Sequence, residues 1–522
     1  MREVSREGRG RLRRAGRAGA VAAALGLAAW AQAFGAAGPK DEALYGEARP
    51  EPHVRHVAAG PIRMKFQDGE LRYLRVGQRE IVRRIYFAVR DERWDTVMPR
   101  FTRLQVDAKA DAFRIDLGAE CRNDLVDYRW TGRIAGAADG TVTFRVEGEA
   151  GADFRSPRVG LCVLLGADAL AGLDFETEDA AGKTARGRFP ERVSPDLLAG
   201  EFRALRYATP EGAGVAFRLA ATHFGMEDQR NYGDSSYKAY ASMPYGRQVA
   251  KGQKAAQTLT LRVTGATAAA APPAGPCRIR IGPAVAGAKV PALLAPAPDG
   301  KPRTAPFVEI NQHRADHAGA ETVSFAYNPA SHLPDDNTFM ENRPAAADQV
   351  RTVRAFAPKA RVRVGPITLD SPYPRAGRDP RNRGLFAAAW AAGLVRHLAL
   401  AGADEAVFCV GPGPVDEVLR EMGVLKGRAV LQADAAAGDA DAPPVEALAV
   451  RADGGGAVVW LSNSTDRAQA VVVEGLGGAA KAALWRLGAD GPAASSVPVE
   501  GGRLALELGA FEVCRITAAG PD

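Results

Sequence analysis

The chain has 522 residues, too many for one hydrophobic core, so roughly two to four domains are expected. Apolar residues make up 46% and charged residues 25%, the balance of an ordinary globular protein. The formal charge is +7, but residues 1–33 hold seven arginines and two glutamates, +5 of it; the remainder forms no basic stripe with interleaved aromatics, which argues against nucleic-acid binding.

Taken in order, the chain opens on a leader. Arg11, Arg13, Arg14 and Arg17 precede the apolar run Ala20–Ala31, and Ala31-Gln32-Ala33 fits a small-x-small cleavage site. The run is about a dozen residues, short of the roughly 20 that a membrane span needs. Residues 1–37 therefore read as a signal peptide and short leader, and the protein as exported, periplasmic or secreted. The other reading is an Ala/Arg extension behind a misassigned start codon. No later segment has the length and apolarity of a transmembrane anchor. Five cysteines, Cys121, Cys162, Cys277, Cys409 and Cys514, are widely spaced with no CxxC pair. Cys162, Cys409 and Cys514 fall in apolar strand-like runs, where a thiol is usually a small buried hydrophobe. No structural metal site is expected.

From Val54 to Val263 the pattern is β. Ile62–Phe66, Leu71–Val76, Glu80–Ala88, Phe113–Ala119, Asp127–Ile134, Thr141–Glu147, Val159–Leu165, Phe202–Tyr207 and Gly214–Leu219 alternate or are rich in β-formers. Asp68-Gly69 and Asp139-Gly140 mark turns. Residues 38–263 are expected to form a large antiparallel β-sandwich closed by Thr258–Val263.

Gly69–Val97 (GELRYLRVGQREIVRRIYFAVRDERWDTV), Asp127–Phe144 (DYRWTGRIAGAADGTVTF) and Ala185–Leu198 (ARGRFPERVSPDLL) resemble the N-terminal domain of the D-apionate lactonase family. Phe224–Pro244, FGMEDQRNYGDSSYKAYASMP, resembles its EDQRN(W/Y)xDxSxK signature. The resemblance implies a sandwich, a (β/α) barrel and a small C-terminal sandwich, and an enzyme that directs water onto the lactone of a branched sugar acid. Physically, Arg230 or Lys238 of the signature can pair a carboxylate. Alternatively, its charges pair among themselves in an inter-domain loop.

Residues 264–305 are rich in Ala, Pro and Gly, interrupted chiefly by a short strand over Cys277–Gly282, and read as a linker. From 306 to 437 strands and helices alternate. Phe307–Ile310 and Thr322–Tyr327 read as strands, Ala345–Phe356 as a helix and Arg361–Leu369 as a strand. Gly384–Ala401 reads as an apolar helix and Ala406–Val410 as a strand, a series expected to be parallel with right-handed crossovers. A complete eight-unit barrel takes about 250 residues, so this is expected to be a truncated barrel-like domain lacking several early units. Residues 438–522 return to short strands, a small C-terminal β-sandwich.

The candidate chemistry lies in Phe307–Asn342, where each apolar run opens into polar residues, as active sites form at strand C-termini. In an extended strand Glu309 and Asn311 share a face and can activate water and orient a hydroxyl; a barrel salt bridge is the alternative for Glu309. His313 and His317 are spaced HxxxH, but Arg314 stands where a metalloprotease needs glutamate. Asn328, His332, Asp335 and Asp336 resemble the family's NPxxHxxDD-like motif. His332 beside a carboxylate such as Asp335 can serve as general base. One of Asp336 or Asn337 is expected to cap a helix near Thr338. Asp370 and Tyr373, after the next strand, are candidates for the same mouth. No nucleophile elbow, P-loop or dinucleotide fingerprint occurs, and neither a cofactor nor a metal is expected. Three functions stay open: a lactone hydrolase, a non-catalytic sugar-acid binder, and a glycosidase-like hydrolase using Glu309 with Asp335 or Asp336. The expected partner is a small sugar acid or lactone; whether copies associate is open.

Overall fold

The computed structural model describes residues 40–49, 52–242, 247–265, 275–295, 304–330, 333–371, 377–409, 412–436, 445–453 and 455–518. Its N-terminal part stacks two antiparallel sheets. The first runs in the order Val54–Ala59, Ile62–Gln67, Glu70–Val76, Arg79–Val89, Val159–Gly166, Ser236–Ala241, Phe224–Asp228 and Ala199–Phe202. The second has Lys254–Thr264 near its centre, paired with Gly214–Ala220 and Thr141–Ala150. Period-two alternation drives this packing: in Asp127–Gly136, Tyr128, Trp130 and Ile134 point into the core while Arg129 and Arg133 face water. The Asp68-Gly69 hairpin turn holds φ of 48° and 84°, the left-handed pair that suits a tight turn between twisted strands.

The run Phe202–Tyr207 is not one strand. It divides into Ala199–Phe202 in the first sheet and Ala204–Ala208 in the second, so the chain changes layers at Arg203. Val159–Gly166 breaks alternation altogether and is buried along its whole length. Leu161, Val163 and Leu165 belong to the sandwich core, whereas Cys162 and Leu164 on the opposite face pack with Leu333 from the middle of the chain. The outer face of the first sheet is therefore the surface on which the middle domain docks.

The middle part is a parallel sheet in the order Ala292–Leu294, Glu405–Phe408, Arg361–Ile367, Thr322–Tyr327. A single parallel bridge, Pro306 to Ala326, extends it. The first strand in the chain thus lies beside the last, the adjacency by which a barrel closes. With the Pro306 bridge at its far edge, the sheet has four named strands rather than eight among the described residues. Phe307–Ile310 is not a strand but the start of a helix, Phe307–Gln312. A four-residue apolar run cannot distinguish the two. Here Phe307, Ile310 and Asn311 are the buried positions, the i, i+3, i+4 spacing of a helix face. Leu385–Ala401 is a helix buried on nearly every side between the parallel sheet and the C-terminal strands, ended by Gly402 at φ 79°.

The C-terminal strands form one curled sheet whose order includes Glu446–Arg451, Ala429–Ala436, Cys277–Lys289 and Gln469–Glu474 as neighbours. This corrects the linker expectation for residues 275–295; residues 266–274 and 296–303 of that span lie outside the described residues. Cys277–Lys289 is a 13-residue strand paired antiparallel to Ala429–Ala436 and parallel to Gln469–Glu474. Cys277 and Ile279 enter the C-terminal core. Backbone pairing holds the Ala/Gly-rich remainder, which composition alone cannot reveal. Among the described residues, no helix is long and apolar enough to cross a membrane.

Candidate functional site

The signature segment folds as two antiparallel strands, Phe224–Asp228 and Ser236–Ala241, joined by a helical turn over Gln229–Tyr232. Asp228 caps that turn by accepting from the Arg230 amide. Arg230 is 1% exposed and its donors are taken. They reach Asp228 at 2.8 Å, Asp348 at 3.0 Å and the Pro190 and Glu191 carbonyls at 2.6 and 3.0 Å. Asn231 accepts from Asn311 at 2.7 Å, and Asn311 in turn accepts from Arg314. Arg230 and Asn311 are thus corrected from substrate-binding candidates to the bolts between the sandwich and the middle domain. A guanidinium whose hydrogens are all committed has nothing left for a ligand.

The remaining candidates lie at the ends of the parallel strands. Asn328 donates to the Asp370 carbonyl at 2.7 Å and accepts from the Ala330 amide. Asp370 accepts from the Asp379 amide and from Asn382, each at 2.8 Å. Both residues tie neighbouring loops together. Asp335, rather than Asp336 or Asn337, is the helix N-cap, accepting from the Thr338 amide at 3.0 Å. It also pairs with Arg72 at 2.8 Å and Arg84 at 3.1 Å. Burial alone would raise the Asp335 pKa, but the two guanidiniums outweigh it and hold the carboxyl well below the usual range. So stabilised an anion is a poor proton acceptor, which argues against Asp335 as the base itself. Asp336 is held by Arg49 and, at 2.7 Å, by Arg381. Glu309 sits on the Phe307–Gln312 helix, so its expected strand-face partnership with Asn311 is lost. His332 and Tyr373 lie outside the described residues.

Asp335 borders a cavity of about 490 Å³ between the outer sheet face and the strand-end loops. Arg72, Arg84 and Glu70 give it a charged floor, and Tyr86, Phe87, Phe101 and Trp130 an aromatic wall. The Arg84 guanidinium lies 4.6 Å over the Tyr86 ring. A mainly apolar wall with a few fixed polar groups, at this volume, suits a small organic ligand. Sequence reasoning missed Arg72, Arg84 and Tyr86 because they stand in regular strands. The signal was present as Arg83-Arg84 inside the apolar strand Arg79–Val89.

Lys238 lies further along the same face. It is 3% exposed, in register with Leu164 on one side and Glu227 on the other. Burial, reinforced by Arg90 and Arg158 and opposed by Cys162 and Glu227, pushes its amine down to about 7. Alone among the signature's cations, it is not consumed by an ion pair among the described residues.

Comparison with known proteins gives one consistent answer. Models of three D-apionate lactonase domains match in order: the N-terminal domain over 42–266, the TIM-barrel domain over 297–435 and the C-terminal immunoglobulin-like domain over 442–516. The chain belongs to the D-apionate lactonase family. A D-apionate lactonase of Brucella anthropi is 28% identical over 225 residues, covering 42% of this chain and 37% of that protein. The match therefore spans little more than a third of its relative. Among solved structures, CelM2, a bifunctional glucanase-xylanase from a metagenome library, matches 41% of this chain and 47% of its own at 15% identity and a TM-score of 0.31. A GalM/aldose epimerase homologue from C. elegans matches 42% of this chain and all of its own at 9% identity and a TM-score of 0.28. Likenesses this partial carry no functional argument.

Proposed function

We propose that the protein hydrolyses the lactone of a sugar acid, that of D-apionate first among them, to the open-chain acid. The observation that carries this reading is the ordered match of three lactonase domains along the chain. The cleft supports it: a ring of sugar size can lie against the aromatic wall with its hydroxyls toward Arg72, Arg84 and Asp335. Water adds to the carbonyl carbon, the ring C–O bond breaks, the leaving oxygen takes a proton and a carboxylic acid results. With Asp335 clamped as an anion, its role is to fix Arg72 and Arg84. Proton acceptance falls to His332, which stands in the sequence between Asn328 and Asp335. The test is hydrolysis of D-apionolactone and other aldonolactones by the purified chain. Turnover at least about 100-fold lower in His332→Ala is expected for a lost general base, and turnover equal to background in the wild type sinks the reading.

A second reading, a non-catalytic sugar-acid binder, is favoured by the shortened parallel sheet. It predicts thermal stabilisation by aldonates without lactone opening. The glycosidase arrangement gains no support, because Asp335 and Asp336 are both held by arginine pairs. We also propose export through residues 1–37, tested by sequencing the N-terminus of the protein from its native host. An N-terminus ahead of Ala33 in exported material would count against cleavage there.

A further inference from the structure

Three cations on the outer face of the first sheet lack what buried cations ordinarily have. Arg90 is 1% exposed, Lys238 3% and Arg158 7%. Elsewhere the protein pairs its buried arginines: Arg72, Arg84, Arg230 and Arg343 each meet a carboxylate. Among the described residues, none of these three does. A guanidinium cannot discharge itself by losing its proton, so the burial of Arg90 and Arg158 calls for a counter-charge.

The strands assemble them. The Arg90 amide donates to the Arg158 carbonyl at 2.9 Å. The Arg158 guanidinium stacks 3.8 Å over the ring of Tyr240, two residues from Lys238 on the same face. Cys162, in register with both Tyr86 and Tyr240, lies between their strands. Four buried hydrogen-bonding atoms have no partner: Arg90 Nε and Nη2, Arg158 Nε and Tyr86 Oη. All are donors, the phenol being able to accept as well. Glu227, the cross-strand neighbour of Lys238, and the buried Asp234 are the carboxylates that act on this group, Glu227 and Asp234 on Lys238 and Asp234 also on Tyr86. Among the described residues neither forms an ion pair with Arg90 or Arg158.

We propose that Arg90, Arg158 and Lys238, with the Tyr86 hydroxyl, form a carboxylate subsite whose ligand is the ring-opened sugar acid. The identity of that acid rests on the lactonase reading above. A lactone is neutral and gives these cations no counter-charge; opening it creates the anion. Guanidinium forks match a carboxylate in shape as well as charge. Tyr86 also lines the aromatic cavity, so an acid held at the cations can run its hydroxylated tail toward Glu70, Arg84 and Asp335. The subsite thus holds product, and product inhibition follows.

The full chain, titrated calorimetrically with D-gluconate as probe, with D-sorbitol as its neutral counterpart and inorganic phosphate as a bare oxyanion, tests this. Gluconate is expected to bind about tenfold or more tightly than either control, and to lose about tenfold in Arg158→Gln and Arg90→Gln. Should an arginine variant fail to fold, Tyr86→Phe removes one hydroxyl and is expected to weaken gluconate about threefold or more. Sorbitol or phosphate binding as well as gluconate, or gluconate binding undiminished in the folded variants, overturns the proposal. Lactone hydrolysis measured on the same preparation separates the two readings. Hydrolysis without gluconate binding removes the subsite and leaves the enzyme; binding through these residues without hydrolysis does the reverse.

Discussion

Replacing Lys238 with methionine keeps the aliphatic stem and removes the ammonium. Burial, with Arg90 and Arg158 behind it and Cys162 and Glu227 against it, lowers this amine from 10.5 to about 7. The folded pKa lies below the unfolded one. Between those two values the unfolded chain holds a proton that the folded chain lacks, so stability rises with pH across that window. At about 1.4 kcal/mol for each tenfold, the fall from 10.5 to about 7 costs the wild type about 5 kcal/mol at pH 7 and below, and nothing near pH 10.5. The residue is 3% exposed, so solvent screening takes little from this order of magnitude. Lys238→Met should therefore be more stable than wild type by up to about 5 kcal/mol at pH 6.5, with the gap closing as pH approaches 10. Urea unfolding of both proteins at pH 6.5, 8 and 9.5 reads it directly. A gap that does not change with pH, or a variant less stable throughout, would refute the reasoning. Retaining a lysine at such a cost is what a binding role for its charge would explain.

Other outcomes come from the ion pairs and the turn. Asp335→Ala removes one carboxylate from the buried Arg72 and Arg84, which keep Glu70 and, for Arg72, Glu341, and should cost about 1–3 kcal/mol in thermal unfolding. Arg230→Met should cost a similar amount, about 3–5 kcal/mol, while leaving ligand affinity unchanged, since the side chain joins domains rather than facing the cavity; a selective loss of affinity would restore it to the site. Asp335 and Glu446, the latter paired with Arg343 and His397, are both held below their ordinary values of 3.8 and 4.5. Their contribution is complete above those values and lost as pH falls below them, so the melting temperature should drop from about pH 4.5 downward, less steeply in Asp335→Asn. Gly69→Ala places a Cβ 2.4 Å from the Phe101 ring at a φ of +84°. It should destabilise by about 1–3 kcal/mol and reshape the cavity wall, visible as weaker ligand binding.

The sandwich is largely legible in the sequence because alternation survives where one face meets water. Pro99–Ala108 escapes such a reading because none of its residues is fully buried. Val159–Gly166 reads as a strand, but its second buried face reports a neighbouring domain that no local pattern encodes. The signature is recognisable, yet the sequence misallocates its chemistry. Arg230 looks like a ligand anchor and is saturated, while Lys238, the cross-strand partner of Glu227, forms no ion pair among the described residues. Which charges find partners depends on Asp348, Pro190 and Glu191, distant in sequence and adjacent only after folding. In the candidate loop the carboxylates stand out by type and spacing, but Arg49, Arg72, Arg84 and Arg381 decide what they can do.

The strand Cys277–Lys289 has a consequence for synthesis. Its antiparallel partner, Ala429–Ala436, leaves the ribosome about 140 residues after it, a delay of about 7–28 s at ordinary translation speeds. Throughout that interval a strand with apolar Cys277 and Ile279 has neither of its neighbours, and the parallel sheet it leads into has its first strand but not the last one beside it. The nascent sandwich can fold early, whereas everything from residue 275 onward must mature together. Arrest of translation between about residues 300 and 420 would thus yield a protease-resistant N-terminal domain and a protease-sensitive tail, rather than two finished domains.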